Sequence, residues 1–218
     1  AMFGSRIARD EDGNLLVDGV GNYLADQVDE DGVLPFIGDP NPDFVMNYTN
    51  TFEYKGLSLG FAINHTSGGD IYSTTTATLM GRGLTTDTEN RLSTYILPGV
   101  NINTGLPNDI QINNSNFYFD NGFASPADEL SVYDGSVVRL REVNIAYSLP
   151  SKLLNKTPFG KVTIKASAFN MWYNAYNTPD GVNFDPNTTG LGAGNGQGFE
   201  FLTGPSSKRY GMSVNLSF

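Results

Sequence analysis

Tyr210-Gly211-Met212-Ser213-Val214-Asn215-Leu216-Ser217-Phe218 alternates, residue by residue, between a large apolar side chain and a small or polar one. Successive side chains of an extended strand point to opposite faces. The stretch therefore predicts a β-strand with an apolar face (Tyr210, Met212, Val214, Leu216, Phe218) and a polar one. The same period recurs upstream. Phe44, Met46, Tyr48, Phe52 and Tyr54 alternate with Asn47, Thr49, Thr51 and Glu53, and Leu57, Leu59, Phe61 and Ile63 alternate with Ser58, Gly60, Ala62 and Asn64. Lys55-Gly56 between them suits a tight hairpin. A further strand is expected over 137–149, with Val143, Ile145, Tyr147 and Leu149 on one face. Val138 and Leu140 are out of phase with that face, which predicts a bulge near Arg141-Glu142. Another runs from Lys161 to about Tyr173.

The connections between these strands measure two residues (55–56), then about 70 (67–136), about 11 (150–160) and about 33 (174–206). Short and long alternate. Long loops without elements of their own are uncommon in compact soluble domains, whereas outer-membrane barrels pair short periplasmic turns with long extracellular loops. Alternation alone also fits a soluble β-sandwich. The loop asymmetry and the aromatic Phe218 favour a barrel, with Tyr54, Tyr147, Trp172, Tyr173, Tyr210 and Phe218 as interfacial girdles. Five strands cannot close such a barrel, and an open edge in lipid costs several kcal/mol for each unpaired backbone group. The chain therefore needs other strands, from a longer polypeptide or from other chains.

Composition narrows the rest. The chain carries a formal charge of −10, and ten carboxylates fall within residues 1–43 against Arg6 and Arg9. That balance argues against nucleic acid as a partner. There is no Cys, which removes disulfides and thiolate metal sites. No apolar run reaches the roughly 18–20 residues of a membrane-spanning helix. No secretory leader follows Ala1, so the chain is expected to begin internally.

With these strands in place, a family likeness emerges. Ile37-Gly38-Asp39-Pro40-Asn41-Pro42-Asp43-Phe44, with Thr49-Asn50-Thr51-Phe52-Glu53-Tyr54-Lys55-Gly56-Leu57-Ser58-Leu59, resembles the "GNPNPDF…TNTFSYKGFSLS" block of SusC/RagA-type TonB-linked outer-membrane proteins. Gly68-Gly69-Asp70-Ile71-Tyr72-Ser73 and Gly81-Arg82-Gly83 continue it. The run from Tyr133 through Arg139-Leu140-Arg141-Glu142-Val143 to Tyr147-Ser148-Leu149-Pro150 is similar to "YDASYVRLREVTLSYSLP". Ala168-Phe169-Asn170-Met171-Trp172 resembles "SGQNLF" with Phe169 in place of Gln, and Arg209 to Phe218 resembles the family's closing strand.

The likeness implies an all-β fold, the last five antiparallel strands of a 22-stranded transmembrane barrel, the class whose lumen is plugged. The expected segments are an acidic extracellular loop (1–41), a barrel hairpin (42–66), a long extracellular loop (67–136), a hairpin with a periplasmic turn (137–173), an extracellular loop (174–206) and the closing strand (207–218). It further implies TonB-driven import of oligosaccharides, peptides or other large nutrients, in the outer membrane. The implied partners are the upstream strands and plug, TonB through an N-terminal region outside this chain, a SusD-like surface lipoprotein and outer-membrane lipid. The closing strand would also carry the signal read during barrel assembly. Readings from other classes are a β-rich surface-binding or adhesion module and a subunit donating strands to a multichain barrel.

No catalytic, cofactor or metal constellation is expected. His65 is the single histidine and reads as a rim or lumen residue. Asp10-Glu11-Asp12-Gly13-Asn14 and Asp29-Glu30-Asp31-Gly32 lack the spacing of a calcium loop and read as solvated turns. Gly190 to Gly196 lacks the Lys-Ser/Thr of a phosphate loop. Arg139, Arg141 and Glu142 read as a lumen charge network or, preferably, as ties for the long loop. Among loop aromatics, Tyr118, Phe119, Phe184, Phe199 and Phe201 are the candidate contacts for a partner or a substrate, and packing of the loops against each other is an equal reading of them.

Overall fold

The structure, a computed structural model, describes residues 1–28, 31–120, 127–179, 181–182, 184–187, 194 and 196–218, with backbone alone at 119 and 120. The chain divides into two compact bodies. One comprises Asp43–Ser67, Ser136–Tyr176 and Pro205–Phe218; the other comprises Ala1–Pro42, Gly68–Gly135 and Asn177–Gly204.

The first body is an antiparallel sheet of five long strands: β1 (Pro42–Tyr54), β2 (Leu57–Gly68), β3 (Val137–Ser148), β4 (Lys161–Asn174) and β5 (Arg209–Ser217). Their spatial order is β5-β4-β3-β2-β1, a meander in which each strand pairs with its neighbours in sequence. The turn between β1 and β2 has φ of 47° at Lys55 and 83° at Gly56. Two consecutive left-handed residues are what a type I′ turn requires, and its twist matches that of the flanking strands. Its carbonyl end also serves β3, since Ser148 N–H donates to the Gly56 carbonyl at 2.8 Å. The link from β3 to β4 holds a single helical turn, Ser151–Leu154, started by Pro150. Both short links lie at one end of the sheet, and both long connections leave from the other.

The phase slip in the sequence is a physical bulge. β2 pairs Ile63 with Leu140 and Ala62 with Glu142, so Arg141 is the extra residue of β3. β4 adds a second irregularity beside it, with Leu140 opposite Trp172 and Glu142 opposite Phe169. There Asn170 sits at φ 54°. The bulge restores Val138 and Leu140 to the face that carries Val143, Ile145 and Tyr147. That face is continuous across the sheet: Leu59, Ile145, Ala166 and Met212 form one row, and Leu57, Tyr147, Ile164 and Val214 the next.

The second body is built differently. Its strands are two to four residues long and pair over long separations: Leu16–Val17 with Val100–Asn101, Arg6–Ile7 with Ala25–Asp26, and Asp70–Ser73 with both Val132–Asp134 and Phe199–Glu200. They enclose a core of Ile7, Val17, Tyr23, Leu97, Ile112 and Ala127. A small second cluster joins Ile71, Val182 and Phe184. The region expected to be plain loop also contains α1 (Thr74–Gly81), which starts where the Ser73 side chain accepts the Thr76 N–H. A Ser N-cap satisfies a donor that the first turn otherwise leaves open.

Candidate functional site

The apolar face of the sheet is the first functional surface. Among the described residues no packing layer covers its side chains: Met212 is 76% exposed and Phe218 89% exposed, and Phe44, Met46, Tyr48, Phe52, Tyr54, Leu57, Leu59, Ile145, Val214 and Leu216 are exposed as well. A β-sandwich would bury this face against a second sheet. A strand of about 9–11 residues tilted near 45° spans a bilayer's hydrocarbon, and these strands run from 9 to 14 residues. Aromatic side chains mark both ends of the face. Tyr54 and Tyr147 lie toward the short links, where Phe218 packs on Phe159 at 5.3 Å. Toward the long connections, Phe44 meets His65 edge-on at 5.3 Å, and His65 Nε2 lies 3.0 Å from the Tyr176 hydroxyl. His65 therefore sits on the apolar side at the rim and not in a lumen. Trp172 belongs to this face beside Leu140, whereas Tyr173 pairs with Arg139 on the opposite face and is no part of a girdle.

The two outer strands give the surface its second property. β1 and β5 each pair on one side alone among the described residues. Their other backbone edges are open to receive further strands. Tyr210, Met212, Val214 and Leu216 pair with Ala168, Ala166, Ile164 and Val162, so the apolar residues of β5 continue the face to this edge.

The opposite face is polar and linked within itself. Asn64 donates to Asn47 at 3.0 Å, Ser148 and Thr163 lie 2.9 Å apart, and Asn144 donates to Glu142 at 3.1 Å. Lys165 pairs with Glu142 at 3.8 Å. Where the two bulges adjoin, this face opens into a cleft of about 370 Å³ lined by Asn47, Thr49, Arg141, Glu142, Phe169 and Arg209 among others. The Arg209 guanidinium lies over the Phe169 ring, 5.6 Å from its centre. Arg141 and Glu142 thus serve the polar face rather than tying down the long loop. The signal for this site was the phase slip itself, because a bulge re-aims its extra side chain.

In the loop body the aromatic candidates separate. Phe184 is buried with Ile71 and Val182, so its ring belongs to a core and not to a contact surface. Tyr118 is half-buried and meets Phe117 edge-on at 4.9 Å. Burial, with the charge of Asp87, raises its pKa. The Phe119 side chain lies outside the described residues. Phe199 and Phe201 stack at 6.0 Å with Tyr72 alongside, and Phe201 is half exposed.

Glu200 between them is fully buried, and nothing in the sequence marked it. Burial alone would raise its pKa, but hydrogen bonds from Thr75 and Thr203 hold it below the ordinary carboxylate value. The backbone N–H of Thr75 and of Thr203 donate at 3.0 and 2.6 Å, and the Ser73 and Thr203 hydroxyls at 3.0 and 2.7 Å. A buried carboxylate so satisfied fastens the start of α1 to residues 199–203.

In the acidic turns, Asp10 accepts from the backbone N–H of Asp12 and Asn14 and from the Asn14 side chain, and these bonds lower its pKa. The second acidic turn lies partly outside the described residues, as does most of Gly190 to Gly196.

No family model matches the chain. Two proteins of Formosa agariphila are similar in sequence. TonB-dependent receptor P3 is 26% identical over 210 residues, covering 96% of this chain and 19% of that receptor. TonB-dependent receptor P26 is 25% identical over 196 residues, covering 84% of this chain and 18% of that receptor. The chain spans about a fifth of the length of the curated relatives it matches. In fold it is similar to the RagAB peptide importer in its 'closed-closed' state, with a TM-score of 0.54 and 18% identity over 97% of this chain and 20% of that one. The 'open-open' state gives the same score and identity over 100% of this chain and 22% of that one. The relatives are named as receptors and importers, not as enzymes. With its exposed apolar face, open sheet edges and these likenesses, the chain is a length of outer-membrane β-barrel wall with its loops, similar to TonB-dependent receptors of the SusC/RagA type.

Proposed function

We propose that this chain is the C-terminal part of a TonB-dependent importer of large nutrients, either oligosaccharides or peptides. The observation that carries the reading is the sheet with one lipid-type face, one polar face and two open edges. Such a sheet is unstable alone in a bilayer and complete only inside a larger barrel. The open edge of β1 receives the preceding strand of the same polypeptide, and that of β5 seals against the first. The segments 42–66, 137–173 and 207–218 are then wall. The acidic segment 1–41 and segments 67–136 and 174–206 are extracellular, and 55–56 and 150–160 are periplasmic turns. A SusD-like lipoprotein covers the extracellular mouth, with Tyr118, Phe119, Phe199 and Phe201 as candidate contacts.

Uptake by cells carrying the whole protein tests the reading. Deleting its gene, or TonB, should abolish growth on the nutrient whose utilisation genes adjoin it, and the purified protein should show the heat-modifiable gel mobility of a closed barrel. Unchanged growth with TonB absent would sink the importer reading.

A further inference from the structure

We propose that the cleft at the adjoining bulges binds an oxyanion, a carboxylate or a sulfate, borne by the cargo that passes along the polar face. This rests on the importer reading above. Charge carries the inference first. Neither Arg141 nor Arg209 has a carboxylate within ion-pair distance among the described residues, whereas the cleft's own carboxylate, Glu142, is engaged by Lys165 and Asn144. Two guanidiniums therefore stand in excess, in a chain whose formal charge is −10.

Geometry carries it next. Each guanidinium is a planar fork of donors that matches an oxyanion two bonds at a time. Arg209 rests on the Phe169 ring, so its orientation is partly set before any ligand arrives. Arg141 enters the cleft because it is the bulged residue of β3. Asn47, Thr49 and Asn170 add neutral donors and acceptors around the two cations, and Phe169 adds an apolar ring face. About 370 Å³ holds an oxyanion together with the residue that bears it.

A fixed carboxylate of the same protein is the competing occupant. The sheet settles its own charges between neighbouring strands, as Glu142 of β3 does with Lys165 of β4. Arg141 and Arg209 are left out of that scheme, and both are exposed on the polar face. Cations on the wall of a passage select by sign and raise the local concentration of anions.

The test uses the full-length protein purified in detergent and calorimetric titration with three probes: hexagalacturonate, a sulfated carrageenan hexasaccharide and neutral maltohexaose. At least one anionic probe should bind. Its affinity should fall about tenfold in Arg141→Gln or Arg209→Gln and about a hundredfold in the double variant, with maltohexaose unaffected. Whichever anionic arm responds names the group as carboxylate or sulfate. Equal affinity in wild type and double variant, or no anionic binding by wild type, overturns the proposal. So does unchanged binding with a lowered melting temperature, which would assign both guanidiniums to a fixed internal carboxylate. Heat-modifiable mobility is read on the same samples. A folded barrel with indifferent binding sinks the cleft alone, and failure to form a barrel sinks both.

Discussion

Glu200 shows what one side chain can organise. Its carboxylate gathers two backbone N–H groups and hydroxyls from residues over a hundred positions earlier and three positions later. Replacing it with Gln puts an amide NH₂ against a backbone N–H, of Thr75 or of Thr203, whichever way the amide turns, and removes the charge that strengthens each bond. The expected cost is about 2–3 kcal/mol, read as faster hydrogen exchange at the amides of α1 in the full-length protein. The sign of the pH effect follows from the lowered pKa. The charged bonds contribute fully above the ordinary value of 4.5 and are lost as pH falls through the lower folded value. The gap between wild type and Glu200→Gln should therefore close in acid and stay constant above pH 4.5. A gap that does not depend on pH would mean that shape, and not charge, fastens α1.

At the scale of elements, the bulge at Arg141 is the most informative. Deleting that residue would restore strict alternation, but inserting an alanine after Leu140, with the bulge kept, would slide 137–140 by one position, turning Val138 and Leu140 to the polar face and Arg139 toward lipid. A charged residue facing lipid costs about 2–4 kcal/mol at the midplane. The insertion should abolish heat-modifiable barrel formation while Arg141→Ala preserves it; equal assembly of the two would refute the register. This element was legible in advance because a period of two makes any slip visible, as Val138 and Leu140 out of step with Val143 show. The five strands and the Lys55-Gly56 turn were legible for the same reason. The loop body was not. Its strands are too short to show a period, and their partners are distant, as with Leu16 against Val100 and Phe199 against Tyr72. Its helix also escaped notice, because Thr74-Thr75-Thr76-Ala77-Thr78-Leu79-Met80-Gly81 is poor in strong helix formers. A cap at Ser73 and the distant Glu200 stabilise it instead. The Arg141–Arg209 cleft was half visible: both arginines stood in the sequence, but their meeting needed the register of three strands.

For the whole molecule, the two kinds of connection predict opposite exposures on a living cell. The chain has no cysteine, so each single substitution adds one thiol to this segment, and its labelling is read against the unsubstituted protein. Leu92→Cys, at a position 86% exposed in the loop body, should react with a membrane-impermeant maleimide on intact cells. Lys156→Cys, exposed in the short link, should react once the outer membrane is opened. The reverse pattern would invert the topology. The loop body has a further meaning on a longer clock. It is assembled from three separate stretches of chain, joined where Ser5 meets Asp128, Arg9 meets Glu129 and Ser73 meets Glu200. A relative's loop grafted alone would arrive without its partners. Descent should therefore change these three stretches together, as one inherited cassette.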